Sequence, residues 1–193
     1  MILISIRPFA FNKIATFVAA LLCLATASCF ASSVFLSVDS TPYDRQMSRI
    51  RPILVAADGR GEHDISVALV NHWMEDLRDI PYGYQAQWKT PVEVQSRQPA
   101  DCKGKAVALY QRMQAYGAKN VRLVIGKRAP ASRMTHAWLV WETDGGSYVL
   151  DPTFNWMACR SEQVGQRSYV PLYAYAGSKK YRATSAEALL ANN

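Results

Sequence analysis

The sequence predicts an α+β domain in which a helix packs on a small antiparallel sheet. Two segments, about 62–78 and 102–116, carry apolar residues at helical spacing. Four shorter segments rich in β-branched and aromatic residues follow, and a Gly-Gly turn joins two of them. A block of helices followed by a block of strands is typical of α+β domains, whereas regular alternation would indicate a parallel sheet.

The first predicted helix is amphipathic, because its apolar residues recur every three or four positions. These residues are Ile65, Leu69, Val70, Trp73, Met74 and Leu77. The Asp-Gly-Arg-Gly segment at 58–61 precedes the helix and indicates a loop. Residues 79–99 follow it with three prolines and several aromatic residues, which predicts an ordered loop rather than a flexible linker.

The second predicted helix spans about 102–116 and has a recognisable signal at each end. Asp101 is a suitable N-cap, and Gly117 is typical of a helix terminus. The expected buried face consists of Ala106, Leu109, Tyr110 and Met113. This assignment places Cys102 in the first turn, where unpaired backbone N–H groups and the helix dipole favour an anionic sulfur.

The predicted strands follow the second helix. Their approximate bounds are 121–125, 136–142, 148–151 and 169–175. The Asp144-Gly145-Gly146 segment predicts a hairpin turn between the second and third of them. Residues 185–190 predict a short terminal helix.

The first 31 residues are expected to be a signal peptide that is cleaved near residue 27 or 31. Arg7 and Lys13 are its only charged residues, and an apolar run of small residues and leucines covers 14–27. A membrane anchor is the alternative, but this run is shorter than the roughly 20 residues that a span needs. A lipoprotein attached at Cys29 is a weaker alternative. We therefore expect a periplasmic or secreted protein with no stable membrane span after cleavage.

The remaining chain is predicted to consist of an N-terminal extension, 32–61, and one domain, 62–193. Cleavage removes two basic residues and no acidic ones, so the net charge falls from +7 to +5. The basic residues are scattered, and no basic stripe alternates with aromatic residues, which argues against nucleic-acid binding. A mildly basic surface is compatible with an anionic cell envelope.

Cysteine and histidine usage does not indicate a metal site or a disulfide framework. The chain contains no C-x-x-C, H-E-x-x-H or EF-hand spacing and no glycine-rich phosphate loop, so we expect neither a metal nor a cofactor. Only Cys102 and Cys159 lie beyond the predicted leader. A disulfide between them is the alternative interpretation, and it would remove the free thiol. Cys159 could also be a buried thiol, or pair with Cys29.

A cysteine, a histidine and an aspartate occur in an order that suits nucleophilic catalysis. Cys102 begins a helix, His136 begins a strand, and Asp151 ends the next strand. Because a hairpin joins these strands, His136 and Asp151 are expected to be cross-strand neighbours. An imidazole beside a thiol promotes thiolate formation, and the carboxylate holds the imidazole in the required tautomer.

Two segments around the cysteine resemble a known family. The W-x-T-P-x-E pattern at 88–93, followed by Ala100-Asp101-Cys102, resembles the bacterial transglutaminase-like cysteine proteinases, which are exported to the periplasm and have a papain-like core. The similarity covers roughly 62–156. It implies that Cys102 is the nucleophile, that His136 is the general base and acid, and that Asp151 orients the imidazole.

The sequence departs from the family pattern at two points. Ala100 replaces the usual glycine before Asp-Cys, which we expect to be tolerated. Some members of the family bind calcium through acidic residues directly after the cysteine, whereas this chain has Lys103 and Gly104 there. A positive charge opposes cation binding, so no calcium is expected, and Lys103 is a candidate to stabilise the thiolate instead.

The expected function is hydrolysis of a peptide or protein amide in the cell envelope through an acyl-enzyme. Candidate oxyanion donors are the Cys102 backbone N–H with Trp88 or Gln98, although Trp88 also suits core packing. Transfer of the acyl group to a lysine amine is an alternative. A catalytically silent binding module is another, with a groove lined by aromatic residues: Tyr82, Tyr84, Trp138 and Trp156.

Overall fold

The fold is α+β, as the sequence predicts. The computed structural model describes residues 33–56, 64–96, 98–165 and 168–185. In chain order the elements are β1 (Ser33–Ser37), α1 (Arg51–Ala56), α2 (Val67–Arg78), α3 (Pro91–Gln95), α4 (Cys102–Tyr116), β2 (Val121–Lys127), β3 (His136–Thr143), β4 (Gly146–Leu150), β5 (Cys159–Arg160), β6 (Val170–Ala176) and β7 (Lys179–Ser185). The predicted signal peptide, 1–31, lies outside the described residues.

A seven-stranded sheet forms one layer of the domain. Its strand order is β1-β7-β6-β2-β3-β4-β5, and every neighbouring pair is antiparallel. Helix α4 packs on the two central strands β2 and β3, and α2 and α3 pack on α4. The helix that begins at Cys102 therefore packs on an antiparallel sheet, as expected. No helix in the described ranges is long and apolar enough to cross a membrane.

Both main helices begin at side-chain caps. The Asp101 carboxylate accepts a hydrogen bond from the Gly104 N–H at 3.2 Å, so α4 begins at Cys102 as predicted. Helix α2 begins at Val67, later than the predicted 62, because the Ser66 hydroxyl accepts from the Leu69 N–H and leaves 64–66 outside the helix. A short helix, α3, interrupts the expected loop at 79–99, started by a capping box at Thr90.

Long-range pairing produces elements that local patterns did not indicate. Within the predicted extension, β1 pairs with β7, and α1 with the turn before it contributes three buried core residues: Met47, Ile50 and Leu54. Strand β7 was not predicted. Its last residue, Ser185, coincides with the start of the predicted terminal helix, whose remaining residues lie outside the described part of the chain.

Gly126 lies where β2, β3 and β6 approach closely, directly opposite His136 in the β2–β3 pair. A Cβ atom at this position would overlap the Val170 carbonyl oxygen and lie 2.6 Å from the Trp138 ring. The pairing of β2 with β6 is also irregular between Ile125 and Gly126. Glycine at such a position permits close approach of neighbouring backbone.

We predict that Gly126→Ala lowers the free energy of unfolding by about 1–3 kcal/mol, because backbone and a buried indole must move. Urea unfolding monitored by circular dichroism measures this change. Gly145→Ala is the matched control, since its Cβ would meet nothing closer than 3.6 Å. Equal stability of Gly126→Ala and the parent protein would contradict the close packing described above.

Candidate active site

Cys102 is the first residue of α4, and its side chain is buried. The chain before it is fixed by a short parallel bridge between Tyr82 and Ala100. The Ala100 N–H donates to the Pro81 carbonyl at 2.9 Å, and the Gly83 N–H donates to the Ala100 carbonyl at 3.3 Å. The loop 81–85 therefore runs beside the residues that lead into the helix.

The hairpin of β3 and β4 brings His136 to Asp151, as the sequence predicts. Leu139 pairs with Leu150, so the same register places Asp151 level with Trp138, two residues along the same face from His136. Such diagonal neighbours are within reach of side-chain contact. His136 Nε2 lies 2.7 Å from Asp151 Oδ2, and both side chains are buried.

Every oxygen of the Asp151 carboxylate has hydrogen-bond donors. Besides His136, Oδ2 accepts from the Tyr169 hydroxyl at 2.7 Å, and Oδ1 accepts from the backbone N–H groups of Thr153 and Phe154 at 3.0 and 3.3 Å. Burial alone would raise the pKa of Asp151, but the hydrogen bond and charge of His136, together with these other donors, hold it below its usual value. The group is therefore a fixed buried anion.

His136 is polarised between two acidic groups. Burial lowers its pKa, but hydrogen bonds with Asp151 and with Cys102, and the negative charges of both, raise the pKa to about 9. Because Nε2 is engaged by Asp151, Nδ1 is the ring nitrogen left to interact with Cys102. The Trp138 ring stacks beside the imidazole at 6.0 Å between centroids, and Phe154 lies at 5.2 Å. This surrounding keeps the ring orientation fixed.

The two thiols beyond the predicted leader are not joined. Cys102 and Cys159 are both free, so the alternative disulfide between them is not formed. Cys159 lies in β5, where its thiol donates to the Met157 carbonyl at 3.5 Å. The alternative pairing with Cys29 concerns a residue outside the described part of the chain.

Solved structures share this arrangement of helices and sheet. LapG from Legionella pneumophila in its calcium-bound form has a TM-score of 0.53 at 14% identity, covering 79% of this chain and 92% of that chain. The EGTA-treated form has a TM-score of 0.53 at 12% identity, covering 78% and 86%. The domain has a papain-like, transglutaminase-like core. No protein-family model and no curated protein significantly matches the chain.

The two oxyanion candidates occupy different environments in this transglutaminase-like core. Trp88 is only 1% exposed and belongs to the hydrophobic core, and its indole N–H has no hydrogen-bond partner among the described residues. Gln98 is exposed on the loop that leads into α4. Gln98 can therefore reach solvent, whereas Trp88 packs as a core residue.

The aromatic residues proposed to line a groove also separate into two groups. Trp138 is buried beneath the imidazole at 1% exposure, so its assignment to a groove was wrong. Tyr82, Tyr84 and Trp156 are 56%, 64% and 75% exposed. Burial and then the charge of Cys102 raise the pKa of Tyr82.

Sequence reasoning missed Tyr169, which the transglutaminase-like core places against Asp151. Its backbone adopts φ of 57°, a left-handed conformation that is uncommon for a non-glycine residue, and its N–H donates to the Arg128 carbonyl. Burial, followed by the charge of Asp151, raises the pKa of the Tyr169 phenol, so it stays a donor. The unusual backbone conformation marks this residue in the structure, but no feature of the sequence indicates it.

Proposed function

We propose that the protein is an exported cysteine peptidase or amidase that hydrolyses a peptide or protein amide in the cell envelope. Cys102 would be the nucleophile, His136 the general base and acid, and Asp151 the orienting carboxylate. The observation that carries the proposal is that His136 interacts with Asp151 at 2.7 Å and also with Cys102, which raises its pKa to about 9. The transglutaminase-like core and the sequence resemblance around Cys102 support the same chemistry.

The reaction would proceed in two steps. The Cys102 thiolate attacks the amide carbonyl carbon, and a C–S bond forms. The His136 imidazolium donates its proton to the leaving nitrogen as the C–N bond breaks, which releases an amine and leaves a thioester. Neutral His136 then takes a proton from water, and the resulting hydroxide attacks the thioester carbon. The C–S bond breaks, which releases the carboxylic acid and regenerates the Cys102 thiolate beside the His136 imidazolium.

The negative charge that develops on the carbonyl oxygen needs fixed donors. The proposed first donor is the backbone N–H of Cys102, because the first N–H groups of a helix have no partner within the helix. Gln98 is better supported than Trp88 as the second donor, since it is exposed at the entrance to α4. A Trp88 indole buried in the core could contribute only if the loop beside it moved.

The calcium of the LapG structure does not carry over to this chain. Calcium takes six to eight oxygen ligands, several of them carboxylates. The carboxylate next to the nucleophile, Asp101, is paired with Lys103 and caps α4. No group of three or more acidic, histidine or cysteine side chains suited to a metal occurs in the described ranges. The residues present therefore do not fit a calcium ion.

The test of the proposal is the pH dependence of Cys102 alkylation by iodoacetamide, resolved by mass spectrometry. We expect Cys102 to react at pH 6 at least about tenfold faster than an ordinary thiol, because a thiolate–imidazolium pair persists where an isolated thiol is protonated. His136→Ala should remove this excess reactivity. Cys159 is the matched control within the same molecule, since it is free and partly exposed.

A Cys102 rate at pH 6 no greater than that of Cys159 would contradict the proposal, as would a rate unaffected by His136→Ala in a variant with unchanged circular dichroism. With casein as a general protein substrate, new amino termini indicate hydrolysis. Incorporation of a fluorescent primary amine would instead indicate acyl transfer. Both reactions share the thioester, so Cys102→Ala should abolish either.

A further inference from the structure

Lys103 follows the candidate nucleophile, but its ammonium is held by other groups. Nζ forms an ion pair with the Asp101 carboxylate and donates to the Gln85 carbonyl oxygen at 2.9 Å. It also lies 5.0 Å from the centre of the Tyr84 ring, within cation–π range. A carboxylate oxygen, a carbonyl oxygen and an aromatic face thus surround one tethered cation.

The same contacts join the loop to the helix. The Gln85 N–H donates to Asp101 Oδ2 at 3.3 Å, while its carbonyl oxygen accepts from Lys103. Both peptide groups of Gln85 are therefore engaged by one ion pair at the start of α4. The Tyr82–Ala100 bridge attaches the same loop just before α4, so the ion pair adds a second point of attachment at the first turn of the helix.

The charge balance explains why a cation is needed there. Asp101 is completely buried, and it directly precedes Cys102 in the chain. A buried carboxylate without a partner is unfavourable, and a second negative charge nearby disfavours a thiolate. The Lys103 side chain is only 18% exposed, and its ammonium neutralises the negative charge of the Asp101 carboxylate from the first turn of the same helix.

We propose that Lys103 is a positioning residue whose tethered ammonium serves as the structural cation of the active site, so that the site needs no bound divalent metal. Its ligands are the Asp101 carboxylate and the Gln85 carbonyl oxygen, and its task is to hold the 82–85 loop against the first turn of α4. The effect on thiol reactivity rests on the proposed peptidase function, whereas the effect on loop attachment does not.

The experiment measures two properties of the full chain, with EGTA and with millimolar calcium. These properties are the thermal unfolding midpoint and the rate of Cys102 alkylation at pH 6. The parent protein is expected to show equal values in both conditions. Lys103→Met should lower the midpoint by about 5 °C and slow alkylation by about tenfold, because a buried carboxylate loses its partner. Lys103→Arg, which keeps the positive charge, should have an unfolding midpoint and an alkylation rate close to those of the parent protein.

Lys103→Glu tests whether a bound calcium ion can replace the ammonium at this position. Two carboxylates beside the Gln85 carbonyl oxygen are hard ligands that favour calcium. We expect this variant to be impaired in EGTA, and calcium to raise both its unfolding midpoint and its alkylation rate. Lys119→Glu, at an exposed position beyond the far end of α4, makes the same charge change and should show no calcium response.

Three results would overturn the inference: a parent protein whose midpoint or alkylation rate responds to EGTA, a Lys103→Met variant equal to the parent, or a Lys103→Glu variant that calcium does not rescue. Failure of the peptidase proposal has a different signature. In that case the parent Cys102 reacts no faster than Cys159, while the unfolding midpoints still report on the ion pair.

Discussion

Replacing Asp151 with asparagine is expected to lower the rate of casein hydrolysis by about 10²–10⁴-fold. The carboxylate accepts from four donors, two on each oxygen. An asparagine keeps one acceptor oxygen, and the two backbone N–H groups at Thr153 and Phe154 fix it on their side. The amide NH₂ then faces His136 Nε2 and the Tyr169 hydroxyl.

The consequence is a change of tautomer. Nε2 must accept from the amide, so the ring proton moves to Nδ1, the nitrogen that faces Cys102. An imidazole protonated there cannot take the thiol proton. We therefore expect alkylation of Cys102 at pH 6 to slow as well. An Asp151→Asn variant that retains the parent hydrolysis rate would exclude Asp151 from the reaction.

Two further variants serve as comparisons for the loss of hydrolysis expected in Asp151→Asn. Asp144→Asn makes the same charge change at an exposed position in the turn of the same hairpin, and it should leave hydrolysis unchanged. Tyr169→Phe removes one donor from Asp151 but leaves the carboxylate and its contact with His136. Because one hydrogen bond contributes about 1 kcal/mol, we expect a loss of roughly fivefold.

The second large effect is an alkaline limit on hydrolysis near pH 9. In the proposed reaction the imidazolium of His136 protonates the leaving amine, and its pKa is raised to about 9. Above that value the rate should fall about tenfold per pH unit. In Asp151→Asn the limit should move to lower pH, because the carboxylate that raises the His136 pKa is gone. A rate that stays flat to pH 10 would contradict the role of His136 as the acid.

The same titration predicts how stability depends on pH. The folded pKa of His136 lies above its unfolded value, so the protonated ring stabilises the fold fully below about pH 6.5. This contribution is lost as the pH rises through about 9. Urea unfolding of the parent and of His136→Gln over this interval measures it, and the parent curve should fall more steeply.

Local sequence signals were sufficient to predict two parts of the candidate site. An N-cap at Asp101 fixed the start of α4 and therefore the position of Cys102. A hairpin turn fixed the register that brings Asp151 to His136. Each of these features depends only on neighbouring residues of the chain. The packing of α4 on β3, which brings the two parts together, is a long-range contact that no local signal predicts.

The supporting contacts could not be predicted in the same way. Tyr169 reaches Asp151 from a strand that pairs with β2, and the pairing of β6 with β2 is not encoded in any local period. Gln85 meets Lys103 across 18 positions of a loop whose path depends on the bridge between Tyr82 and Ala100. Strand β1 is recognisable only once β7 is present to pair with it.

The pairing of β1 with β7 also bears on when the domain can finish folding. Ser33 lies opposite Ser185, so the first described strand finds its partner only after nearly all of the described chain has been made. Closing so long a loop is costly in entropy, and folds dominated by such distant pairings assemble slowly. Until β7 forms, β1 and β6 are both unpaired along the edges that it joins. The order of synthesis therefore delays completion of the sheet, and a chain that ends before β7 has no partner strand for β1.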